Sequence, residues 1–146
     1  MVATDNPTVV ARILVVDDFD PWRLLACWML AAHKQLQVVG EAVDGFQAIQ
    51  IAQEVKPDMV LMDIGLPDLN GIEAAHWIGK VVPQAKILFL THHNDTSLMR
   101  AALSSGAQGY VLKADAGSEL LPAIEAVLRG ERFVSMRLRE RALAKC

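Results

Sequence analysis

Short apolar runs alternate with amphipathic stretches along most of this chain. Ile13-Leu14-Val15-Val16, Met59-Val60-Leu61-Met62 and Tyr110-Val111-Leu112 are unbroken apolar runs of strand length. Such a run, bounded by polar residues, reads as a strand buried on both faces, the pattern of a parallel sheet sandwiched between helices. Gln37–Ala42 and Lys86–Leu90 are the two other predicted strands, with Asp58 opening the third and Gly109 the fifth. Asp20-Pro21 predicts a helix start, an N-cap followed by proline, with the helix running to about Lys34. Trp22, Leu25, Trp28, Met29 and Ala32 supply its apolar positions at helical spacing. Asp44-Gly45 marks a turn into a helix over Phe46–Val55, stopped by Pro57. Helices are also predicted over Ile72–Lys80, over Thr96–Ser105 closed by Gly106, and over Ser118–Leu128 with Gly130 just beyond. Strand and helix alternate five times, without an internal linker or repeat. Right-handed crossovers then give an open, doubly wound, five-stranded α/β sheet with helices on both faces.

Charge sits where the apolar runs end. The first runs into Asp17-Asp18, the third into Asp63, the fourth into Thr91 and the fifth into Lys113. In open α/β sheets, ligands bind beyond the carboxyl ends of the strands, where the winding reverses. With strand order 2-1-3-4-5, Asp17, Asp18 and Asp63 converge in that crevice, beside Thr91 and Lys113. Three acids so close repel one another, and a divalent cation is the natural way to keep them ionised. A carboxylate can attack phosphorus, while a bound cation, a hydroxyl and an ammonium hold the remaining oxygens. The constellation predicts a phosphate site.

Composition narrows the alternatives. The 146 residues suit one domain, with 53% hydrophobic and 21% charged residues. No apolar stretch is long enough to cross a bilayer, and Met1-Val2-Ala3-Thr4-Asp5 lacks the pattern of a leader, so a cytoplasmic protein is expected. Cys27 and Cys146 have no metal-ligand spacing and read as one core thiol and one loose terminal thiol. A net charge of −3 argues against this domain holding nucleic acid by itself. From Arg129 onward, however, six basic residues face two acids, Glu131 and Glu140. That segment is a solvated terminal helix, a linker or a partner-binding piece.

The supporting segments are Leu14-Val15-Val16-Asp17-Asp18, Leu61-Met62-Asp63-Ile64-Gly65-Leu66-Pro67, Asn70-Gly71-Ile72-Glu73-Ala74, Leu90-Thr91 and Gly106–Lys113. In this order, each at a predicted strand end, they resemble the receiver domain of bacterial two-component response regulators. The resemblance covers about residues 10 to 130 and implies a flavodoxin-like (βα)5 fold. It implies that Asp63 accepts a phosphoryl group from a sensor histidine kinase. Mg²⁺ would be held by Asp18, Asp63 and the backbone of Gly65, with Asp17 acting largely through a water. Lys113 would pair with Asp63 and then with a phosphoryl oxygen. Thr91 would move toward the phosphoryl group and Tyr110 would turn inward behind it. The signalling surface would be the fourth helix, fifth strand and fifth helix. The output would be a changed binding surface rather than turnover of outside substrates, and a homodimer on phosphorylation stays open.

Leu90-Thr91-His92-His93-Asn94-Asp95 and Gly130–Ser135 resemble the branch whose receivers precede a LuxR-type helix-turn-helix. On that basis residues 131–146 are a basic extension or the start of an interdomain linker, and DNA would be reached through an output domain. A stand-alone receiver is the alternative. Two departures stand out: His92, expected to crowd the phosphoryl group, and Ala114, where a proline or aspartate is common. His92 and His93 are adjacent, so their side chains point apart and surface roles are expected. A phosphohydrolase on a similar sheet needs an acid two residues after its nucleophile, and Gly65 stands there. A flavin or nucleotide module needs a glycine-rich loop after the first strand, where Asp17-Asp18-Phe19-Asp20 repels phosphate.

Overall fold

A computed structural model describes residues 10–144. Its strands are β1 (Ala11–Val16), β2 (Leu36–Ala42), β3 (Met59–Met62), β4 (Lys86–Thr91), β5 (Gly109–Leu112) and β6 (Phe133–Val134). Its helices are α1 (Asp20–Ala31), α2 (Gly45–Val55), α3 (Gly71–Val81), α4 (Thr96–Ser104), α5 (Ala116–Leu128) and α6 (Met136–Ala144). All strand pairings are parallel, in the order β2-β1-β3-β4-β5-β6. The expected order of the first five strands is present, and one strand more than expected extends the sheet.

Alternation along each strand divides the core in two. Leu14, Val16, Val60, Met62, Phe89 and Tyr110 face α2, α3 and α4, where Ala48, Ala52, Ala74, Ile78 and Ala102 meet them. Ile13, Val15, Met59, Leu61, Leu88 and Val111 face α1 and α5, against Ala26, Leu30, Leu120, Ala123 and Ile124. Burial of both faces leaves no room for polar side chains within β3 or β5, which explains their unbroken apolar runs.

Three details of α1 differ from expectation. Its N-cap is Phe19, not Asp20, which becomes the first helical residue. Asp17 holds that start, its Oδ1 accepting a 2.9 Å bond from the Phe19 amide. The helix stops at Ala31, where a turn through His33 leads into β2 earlier than the apolar pattern suggests. The buried stripe is Ala26 and Leu30, with Trp28 74% exposed and Leu25 41%. Helical spacing found an apolar face but not which side the sheet would take, because small Ala26 permits a close approach that large side chains block. Cys27 is half-buried, and burial raises its thiol above the ordinary value. Cys146 lies outside the described residues.

The stretch after α5 folds back. The Leu112 amide donates to the Ser135 hydroxyl, which donates in turn to Glu119. Leu138 of α6 is wholly buried, and Arg141 reaches the carbonyl of Asn94 at 2.7 Å. Residues 131–144 thus include a short strand and a helix packed against the rest of the chain.

Candidate functional site

The carboxyl ends of β1, β3, β4 and β5 open on one crevice, because strand order places β1 and β3 side by side where the winding reverses. Asp17 and Asp18 follow β1, and Asp63 follows β3, its amide donating to the Val16 carbonyl at 3.0 Å. One oxygen from each of the three carboxylates lies within 4.8 Å of the others. Asp17 and Asp63 are buried, whereas Asp18 is exposed. Asp63 is therefore not the solvent-facing group that a strand end suggests.

Lys113, the residue after β5, is buried, with Nζ 2.7 Å from Asp17 Oδ2 and 3.0 Å from Asp63 Oδ2. Thr91, at the end of β4, is wholly buried, its hydroxyl accepting from the His93 amide at 3.3 Å and acting on the Asp63 carboxylate. Burial alone would raise the pKa of Asp63. Hydrogen bonds from Thr91 and Lys113, the Lys113 charge and the Gly65 amide outweigh it and hold Asp63 below the usual carboxylate range. The group is thus an ionised carboxylate at neutral pH.

The loop after Asp63 is fixed by its own backbone. Gly65 donates to Asp63 Oδ1 at 3.3 Å, and Gly71 donates to the Ile64 carbonyl at 2.8 Å. A Cβ on Gly71 would collide with the carbonyl oxygen of Asp63, so the start of α3 can press against the site only as glycine. Asn70 caps α3 through the Glu73 amide at 3.0 Å.

Tyr110 lies inside the molecule, its phenol donating to the His93 carbonyl at 2.8 Å. The inward position expected to follow Thr91 movement is already occupied in this conformation. Because β6 pairs with β5, Tyr110 does not sit on an edge strand. His92 does not turn into the carboxylate cluster; its ring packs edge-on against Trp22, with centroids 5.8 Å apart. His93 is the histidine near the loop, with Nε2 3.2 Å from where a Cβ on Gly65 would stand. Ala114 lies in a single 3-10 turn, Lys113–Asp115, which leads directly into α5.

Trp22 is the site residue missed in the sequence, where it reads as one more apolar helix position. Its ring centroid lies 5.1 Å from Lys113 Nζ. Only its place four residues beyond Asp18, near a lysine distant in sequence, would have signalled this.

The donor set fits a hard divalent cation. Three carboxylates against one ammonium leave two negative charges, and the Asp18 carboxylate takes no partner among the described residues.

The profile described as Response regulator receiver domain matches residues 13–125. The chain belongs to that family. It is 36% identical over 134 residues to the response regulator GacA of Pseudomonas viridiflava, covering 92% of this chain and 63% of that protein. It is 36% identical over 120 residues to the response regulator VraR of Staphylococcus aureus, covering 82% of this chain and 57% of that protein. A LuxR-family two-component response regulator from Aurantimonas superposes with a TM-score of 0.89 at 35% identity, over 93% of this chain and 97% of that one. The chain thus spans about three fifths of these curated relatives. It is a receiver of two-component signalling, with a flavodoxin-like parallel sheet. Among the described residues no helix is long and apolar enough to cross a membrane.

Proposed function

We propose that this receiver is a phosphorylation-driven switch in which Asp63 takes a phosphoryl group from a sensor histidine kinase. The observation that carries the reading is Lys113, whose ammonium bridges Asp17 and Asp63 beside an exposed Asp18. An Asp63 oxygen attacks phosphorus as the bond to the kinase's imidazole nitrogen breaks, and the electron pair stays on nitrogen. Lys113 then follows the charge from the carboxylate to a phosphoryl oxygen, and the Thr91 hydroxyl donates to another. Asp17, Asp18, Asp63 and the Gly65 backbone would hold Mg²⁺, which when bound shields the incoming negative charge. Loss of the group needs water to attack phosphorus, which restores the Asp63 carboxylate and releases inorganic phosphate.

The output follows from where Thr91 and Lys113 sit. Thr91 leads into α4 and Lys113 into α5, so re-aiming either side chain re-aims the α4–β5–α5 surface. The LuxR-family kinship supports a further step, control of transcription through a DNA-binding domain joined after α6.

The test is Asp63→Asn treated with acetyl phosphate and Mg²⁺. An amide is a far poorer nucleophile, so intact-mass measurement should find the phosphoryl adduct on wild type and none on the variant. An equal adduct on both would place the acceptor elsewhere.

A further inference from the structure

Trp22, near the start of α1, contacts the residues that follow β4 and β5. Its face meets the Lys113 ammonium at 5.1 Å, and the edge contact with His92 joins it to the residue after Thr91. Its backbone is set by the same acid that holds Lys113. Asp17 Oδ1 accepts from the Phe19 amide, and the Phe19 carbonyl accepts from the Trp22 amide at 3.1 Å. Ring, ammonium and carboxylate are thus fixed relative to one another through one short chain segment.

From this we infer that Trp22 is a positioning residue for phosphoryl transfer, acting through Lys113; the inference rests on the phosphoacceptor reading of Asp63. Lys113 has two carboxylate partners in this structure. When Asp63 becomes an acyl phosphate, one of them is lost and the ammonium must shift toward a phosphoryl oxygen. The indole face is the contact that does not change during this transfer. Its quadrupole attracts the cation wherever the negative charge lies, and its bulk confines the flexible lysine to the crevice. A half-buried aromatic on an otherwise exposed helix start is thereby explained, since Leu24, Leu25 and Trp28 on the same helix remain largely exposed.

Trp22→Leu keeps apolar bulk and removes the π face, while Trp22→Phe keeps a weaker one. The first measurement is the chemical shift of the Lys113 ε-methylene protons in the unphosphorylated protein. In wild type these should lie upfield through the indole ring current, and Leu should abolish that shift. The second is the rate at which acetyl phosphate labels Asp63 in the presence of Mg²⁺. Leu should slow labelling about threefold to tenfold, the scale of a partly exposed cation–π contact, and Phe should recover most of the rate. Thermal unfolding of all three proteins checks that the fold is kept. Absence of the ring-current shift in wild type overturns the proposal, as does labelling of Trp22→Leu at the wild-type rate. Equal slowing by Leu and Phe also overturns it, because shape rather than the π face would then matter. A wild type that shows the shift but takes no phosphoryl group overturns the phosphoacceptor reading, and this proposal with it.

Discussion

The phenol of Tyr110 donates a 2.8 Å hydrogen bond to the carbonyl oxygen of His93. The next carbonyl along, that of Asn94, accepts from Arg141 of α6 at 2.7 Å. Two consecutive carbonyls of the loop after Thr91 are therefore held, one by a side chain of the sheet interior and one by the C-terminal helix. Any rearrangement of this loop is felt at both places.

Tyr110→Phe keeps the ring and deletes the donor. The variant should lose about 1 kcal/mol of stability in urea unfolding, the usual worth of one buried hydrogen bond, and still take phosphate at Asp63. Alkaline pH separates the two proteins further. Burial, then the charges of Asp95 and Asp63, push the phenol well above its ordinary 10.0. Above that value the unfolded chain releases a proton that the native state retains, so wild-type stability falls as pH climbs. Tyr110→Phe should lack that part of the decline.

On the proposed reading, in which Asp63 is the nucleophile, Thr91→Ala should still accept a phosphoryl group. It should lose most of the response of α4 and α5, because on that reading the hydroxyl would draw the β4–α4 loop toward the new oxygens. Amide shifts of these helices with and without beryllofluoride and Mg²⁺ provide the comparison. A full response in the variant would mean that the switch runs by another route.

Acid should weaken the wild type in a way tied to Asp63. Its pKa lies below the ordinary 3.8, so its ionised form contributes stability above that value, which is lost as pH falls through the folded value. Asp63→Asn removes this contribution. Urea midpoints measured from neutral pH downward, without Mg²⁺, should show a shallower acid decline for the variant.

Leu138 anchors α6 to the receiver and is wholly buried. Leu138→Ala should cost about 2–4 kcal/mol of docking free energy, the scale of a large-to-small change in a packed site. Amides of α6 and the Phe133–Val134 strand should then exchange with solvent much faster, while β1 and β3 keep their protection. Protection unchanged in α6 would show that Ser135 and the salt bridge from Arg137 to Asp115 hold the segment by themselves.

The sequence alone determined the alternation of strand and helix, because fully buried strands must be apolar throughout and the helices between them must be capped. It also determined which residues stand at strand ends, and so picked out Asp17, Asp18, Asp63, Thr91 and Lys113 before any packing was known. Local rules suffice there, since strand boundaries and caps depend on neighbours in the chain. Three things were decided in tertiary structure. The buried side of α1 depended on how closely Ala26 and Leu30 could approach the sheet. The sixth strand is two residues long, too short for periodicity to mark, and exists because the edge of β5 offered it a partner. Trp22 became part of the site because Lys113, ninety-one residues later, was brought beneath its ring by the crossover of β5. A cation and an aromatic so far apart in sequence leave no local signal, and only the closing of the sheet brings them together.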